Sequence, residues 1–186
     1  MWGESGIGRY LRNLISQLQK LDNRNEYYTL LLKKDYASLE FKKIATLQQV
    51  QGKLPRNDEG ERAGNFHKVL ADFKWYGVTE QIRLPGILNQ IKPDLVHFPH
   101  FNVPIFYSGK FVVTIHDLIH QHYKMGRATL RNPLTYRIKH LGYKQVFRKA
   151  VKDSIKILTP SNFIKKQLVD EWKVEESKIV ITPEGV

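Results

Sequence analysis

From Phe111 to Ile115 the chain runs Phe-Val-Val-Thr-Ile without a charged residue, and His116 and Asp117 follow at once. A short run of apolar and β-branched residues with no polar alternation specifies a strand buried on both faces, the habit of parallel sheets covered by helices. This stretch constrains the fold most, because such a strand needs packing partners above and below it. In open parallel α/β sheets ligands lie beyond the carboxyl ends of the strands, so His116 and Asp117 stand where the chemistry should be.

The rest of the chain alternates in the same way. Leu11, Leu14, Ile15 and Leu18 repeat at helical spacing directly after Gly6-Ile7-Gly8-Arg9-Tyr10. Glycines opening a helix let an anion approach the backbone N–H groups at its positive end, and they also serve as a plain turn. Such a loop normally follows a first strand, and only Met1 to Gly3 precede it, so the expectation is a chain whose opening strand is cut off. Glu26 to Lys33 reads as a strand and Gln48 to Asn65 as a mobile surface loop. His67 to Phe73 follows as a short strand, with His67 a surface or loop histidine.

Thr79 to Ile91 reads as a helix that Pro85 kinks or divides, stopped by Lys92-Pro93-Asp94. Asp94 to His100 is the next strand, with His97 and His100 near its end. Pro133 to Val151 is a long helix with apolar residues on two sides, which predicts extensive burial. Its Arg137, Lys144 and Arg148 share a stripe that faces either water or an anion. Ser154 to Thr159 is a strand; Ser161 is the N-cap of the helix after it, and Lys178 to Thr182 is the last strand.

Strands alternating with helices predict an α/β fold, a three-layer, doubly wound and mostly parallel sheet. Four segments then converge on one edge: Gly6 to Gly8, His97 with His100, His116 with Asp117, and Thr159 with Ser161.

At 186 residues, 41% of them hydrophobic, the chain is long enough for one sizeable core. Without cysteine it has no disulfide, zinc-thiolate, iron–sulfur or thiol-nucleophile chemistry. No apolar run approaches the roughly 20 residues of a membrane span, and no signal peptide opens the chain. The expectation is a cytoplasmic protein. Its formal charge of +12 favours anionic partners, and Gln121 to Lys152 carries nine Lys and Arg with no acid. That surface suits phosphorylated substrates, or a peripheral seat on anionic lipid at the inner face of the membrane. A basic nucleic-acid-binding module is the rival class; no recognisable nucleic-acid motif supports it.

Five of the seven histidines, His97, His100, His116, His120 and His122, lie within 26 residues. Alternate strand residues face opposite sides and no spacing here matches a ligand motif, so no metal is expected. Glu176 and Glu184, eight apart, straddle a strand and a bend and are read as coincidence.

Taken in order, Gly6 to Tyr10, Asp94 to His100, Thr114-Ile115-His116-Asp117, Thr159-Pro160-Ser161 and Val180 to Val186 resemble the amino-terminal, acceptor-side domain of family 4 retaining glycosyltransferases. The resemblance implies half of a GT-B enzyme, built from two Rossmann-like domains. Residues 1–182 would form the amino-terminal domain and 183–186 the start of the interdomain linker. The donor, a nucleotide-sugar, is held mainly by a carboxyl-terminal domain, and the acceptor, a glycan or lipid-linked molecule, by the amino-terminal one. By that resemblance Gly6 and Gly8 approach the donor diphosphate, Arg9 assists with charge, and His116, with Asp117 beside it, positions the transferred sugar. His97, His100, Thr159 and Ser161 line the cleft. Transfer with retention and without metal follows from the same resemblance. The donor-side residues of the second domain have no counterpart here, so the chain alone is expected to be an inactive half-enzyme.

Overall fold

The computed structural model describes residues 6–36, 45–46, 65–73, 76–119 and 133–183, with the backbone alone for 34, 36, 45, 46 and 133–140. His120 and His122, the basic residues 124 to 131, the loop expected over 48–64, and Glu184 lie outside the described residues. Arg137 is described by its backbone only. The chain divides into two compact units, Met1–Lys92 and Pro93–Val186.

The first unit opens with α1 (Gly6–Leu21), so the glycines form the first turn of the helix itself. The periodic face read from the sequence is the face that packs: Ile15 joins Leu31 and Phe66 in a small core, with Leu11, Leu18 and Tyr27 against it. Three parallel strands follow, β1 (Tyr27–Leu31), β2 (Ala45–Thr46) and β3 (Phe66–Leu70), in the order β1-β3-β2. A single turn, α2 (Lys33–Tyr36), follows β1. Tyr27 pairs with Phe66 and Tyr28 with His67 in the β1–β3 register, and both pairs stack, at 4.5 and 4.7 Å between ring centres. His67 is therefore a half-exposed strand residue, stacked on an aromatic neighbour.

α3 (Val78–Ile91) runs as one helix through Pro85, so the two-helix alternative falls away. Its N-cap is Gly77, which offers no side chain, and the third helical residue supplies the need: Glu80, buried, accepts from the Tyr76 backbone N–H at 2.6 Å. The glutamate reaches back past the N-cap to the residue before it and so fastens the entry to the helix.

The second unit holds four parallel strands in sequential order: β4 (Val96–Phe98), β5 (Phe111–Thr114), β6 (Lys156–Thr159) and β7 (Ile179–Ile181). The α/β expectation holds: this is a Rossmann-like arrangement of parallel strands and intervening helices. β5 lies between β4 and β6, and Phe111, Val113 and Ile115 are at most 1% exposed, which is why its sequence needs no polar alternation. The crossover from β4 to β5 has no helix; instead Phe101, Val103, Pro104 and Tyr107 bury themselves beside the sheet.

α4 (Pro133–Asp153) joins β5 to β6, and α5 (Asn162–Trp172) joins β6 to a short 3₁₀ turn (Glu176–Lys178) before β7. Burial on α4 is narrower than two apolar sides predicted. Among its described side chains Phe147, Ala150 and Val151 are buried, whereas Leu141 is 62% exposed. The helical turn explains this: at about 100° per residue Leu141 lies on the side of α4 away from Phe147, Ala150 and Val151, and only their side is covered.

Candidate functional site

In the second unit, parallel order brings three of the predicted segments to the carboxyl ends of adjacent strands. His100 follows β4, His116 and Asp117 follow β5, and Thr159 and Ser161 close β6. The fourth segment, Gly6, Gly8 and Arg9, belongs to the first unit, where Gly8 is buried, Arg9 exposed, and Gly6 exposed with open space where a Cβ would stand.

Two hydrogen bonds tie β4 to β5 at this edge. His97 pairs with Val112, and strand alternation puts Thr114 on the same face; there His97 Nε2 lies 2.8 Å from Thr114 Oγ1. One step further, His116 Nε2 lies 3.0 Å from the Pro99 carbonyl oxygen. A carbonyl only accepts, so His116 Nε2 is the donor and carries a proton. The imidazole is thus held in one orientation by the chain that leaves β4.

Burial, and then the proximity of His116, push His97 down to about 4, so it is neutral at pH 7. His97 is a strut between strands, whereas the half-exposed His116 presents its ring at the edge. Asp117 is exposed, and its Oδ1 accepts from the Ile119 N–H at 3.0 Å, an Asx turn that starts the chain on its way from β5.

At β6 the two hydroxyls divide. Ser161 is the N-cap of α5, its Oγ accepting from the Ile164 N–H at 3.4 Å, and it stays half-exposed. Thr159 is fully buried and its Oγ1 has no hydrogen-bond partner, so it underlies the edge rather than forming its open surface. Its backbone oxygen accepts from the Thr182 N–H at 2.8 Å and so fastens the end of β7. His100 packs on Phe101 with ring centres 3.9 Å apart.

Sequence reasoning missed Thr114 and the Pro99 carbonyl as the partners of the two histidines. Parity along β5 was the available signal for Thr114; the carbonyl needed the β4–β5 register. Among the described residues no group of three His, Asp or Glu is placed to hold a metal ion, and no helix is long and apolar enough to cross a membrane.

Parallel Rossmann-like strands ending in polar and titratable side chains at their carboxyl edge define an α/β domain of the kind that handles nucleotides and sugars. The family model of Glycosyltransferase Family 4 matches residues 5–186, and the chain belongs to that family. No curated protein matches the chain.

Proposed function

We infer that this domain takes part in moving a sugar from a nucleotide-sugar to an acceptor with retention of configuration. The observation that carries the reading is His116 locked by the Pro99 carbonyl at the carboxyl edge of β5. Transfer passes through an oxocarbenium-like sugar, and dipoles fixed before the reaction stabilise such charge without reorganising. With its Nε2–H committed to Pro99, the His116 ring is held in one orientation at the edge where that sugar would stand. Asp117, fastened by its Asx turn, keeps the segment after His116 in place and adds negative potential at the edge.

The roles of Gly6, Gly8 and Arg9 toward a diphosphate rest on the family and on the chemistry of a helix N-terminus. Donor recognition is assigned mainly to a carboxyl-terminal GT-B domain, and charge neutralisation needs no metal. The basic surface, exposed at Lys144 and Arg148, suits a cytoplasmic enzyme that meets lipid-linked acceptors on an anionic membrane face.

Saturation-transfer NMR of the chain with UDP-, GDP- and ADP-sugars tests the reading. Weak binding that His116→Ala removes is the expected result. Binding that His116→Ala leaves unchanged would remove His116 from the site.

A further inference from the structure

The outer side of α4 carries charge that neither the core nor the candidate site uses. The only acid on this 21-residue helix is its last residue, Asp153, and Lys149 holds it at 3.0 Å. Lys144, Arg148 and Lys152 recur every fourth residue, and all three are exposed. At about 100° per residue they stay within about 40° of Arg148 around the helix, and Leu141, 62% exposed, falls in the same arc. Gln145 joins them, its Oε1 accepting from Arg148 Nη1 at 3.5 Å. The result is a row about 16 Å long, basic along its length and apolar at one end.

Contacts at its two ends fix how the row lies on the sheet. Near the start Tyr143 meets Phe101, three residues past the end of β4, at 5.2 Å between ring centres. At the finish the Val151 and Lys152 carbonyls accept from Nζ of Lys178, the residue before β7, at 2.8 and 2.7 Å. The row therefore runs from the carboxyl edge at Leu141 to the amino edge at Lys152. Its apolar member stands at the edge that His116 occupies.

We propose that this row is a docking face for an anionic phospholipid bilayer: Lys144, Arg148 and Lys152 meet the headgroup phosphates, and Leu141 enters the acyl boundary. A nucleic-acid backbone would satisfy the three cations and leave Leu141 in water; a bilayer satisfies both. α4 then lies along the membrane surface with its Leu141 end drawn in. The carboxyl edge thereby opens along the bilayer, where a lipid-linked acceptor is anchored. This rests on the transfer reading above and adds to it the residues by which the domain meets lipid.

Flotation of the chain with vesicles of phosphatidylcholine, alone and with phosphatidylglycerol, tests it. Binding to the anionic vesicles only, weakened by salt, is the expected result. Lys144→Gln, Arg148→Gln and Lys152→Gln should each weaken it about five-fold, and the three together about a hundred-fold. Leu141→Ser should weaken it several-fold and leave its salt dependence unchanged. As a control, Lys20→Gln, Arg24→Gln and Lys33→Gln together remove the same charge from exposed residues of the first unit and should leave most of the binding in place. Thermal melts check that every variant is folded. Equal loss in the two triple variants, unchanged binding by Leu141→Ser, or no preference for anionic vesicles would overturn the proposal. Binding of a double-stranded oligonucleotide that the row variants abolish, without vesicle binding, would overturn the lipid assignment. Nucleotide-sugar binding by saturation transfer on the same samples separates the two readings. Vesicle binding absent with nucleotide-sugar binding present strikes the docking face alone; the reverse leaves the docking face and strikes the transfer reading.

Discussion

The two units use histidine and aspartate in opposite ways. In the first, Asp22 is a half-exposed turn residue that accepts from the backbone N–H groups of Arg24 and Asn25, from Asn25 Nδ2 at 2.6 Å and from the Tyr27 hydroxyl at 2.5 Å. Those donors hold its carboxyl well below the usual carboxylate range, the Tyr27 hydroxyl contributing most. Asn65 ties the same turn to β3 through the Asp22 and Asn25 carbonyls. In the second unit the aspartate is spent on a local Asx turn, and the titrating strut is His97, buried between strands. Charge is fixed at a surface turn in one unit and excluded from the strand pairing in the other.

That contrast is open to experiment. The largest effect should come from Phe147→Ala. Removing a fully buried ring that packs on Phe101 and Trp172 costs about 3–5 kcal/mol, read as a fall in melting temperature. The stacking of Tyr28 on His67 in the first unit should persist in the variant, and NMR of the His67 ring protons reports it. Next is Gly109→Ala. A Cβ there would collide with the Tyr107 ring, which is wedged against Phe98 and Phe111, and overpacking of that kind costs about 1–3 kcal/mol in a denaturant melt.

The pH dependences follow in order. His97 has a folded value of about 4, depressed from the ordinary value near 6.5. Between those limits the unfolded chain binds more protons, so its contribution is complete above about 6.5 and is lost as pH falls toward 4. Denaturant melts should show stability declining through that window, and His97→Gln should flatten the curve. The Asp22 contribution has the same sign and a lower window: it is present above the ordinary carboxylate value near 3.9 and lost as pH falls through the depressed folded value. Asp22→Asn should remove only that acid limb, the smallest of the four effects because the group is half-exposed. Loss of both limbs in either single variant would mean that the two networks do not act separately.

Much of this was legible in the sequence because parallel strands announce themselves. Phe111 to Ile115 is apolar throughout since β5 has a strand on each side, and Ser161 is an N-cap for the reason its residue type suggests. His116 was placed at a strand end for the same reason. What was hidden depends on register or packing. His116 meets Pro99, 17 residues earlier, only because β4 pairs with β5 at an offset of 15 residues, which brings His116 to within two residues of the level of Pro99. Thr159 looked like an edge hydroxyl, but its parity with Ile157 turns it inward. Leu141 is exposed because only the Phe147 and Ala150 side of α4 is covered.

The central claim is that the carboxyl edge of β4, β5 and β6 is a sugar-transfer site organised by His116. Backbone amide shifts of the labelled chain, followed as a nucleotide-sugar is added, test it most directly. The account predicts perturbations at Thr114 to Leu118 and Ser161 to Phe163 that disappear in His116→Ala. Perturbations that leave those segments unmoved, or that survive the substitution unchanged, would contradict it.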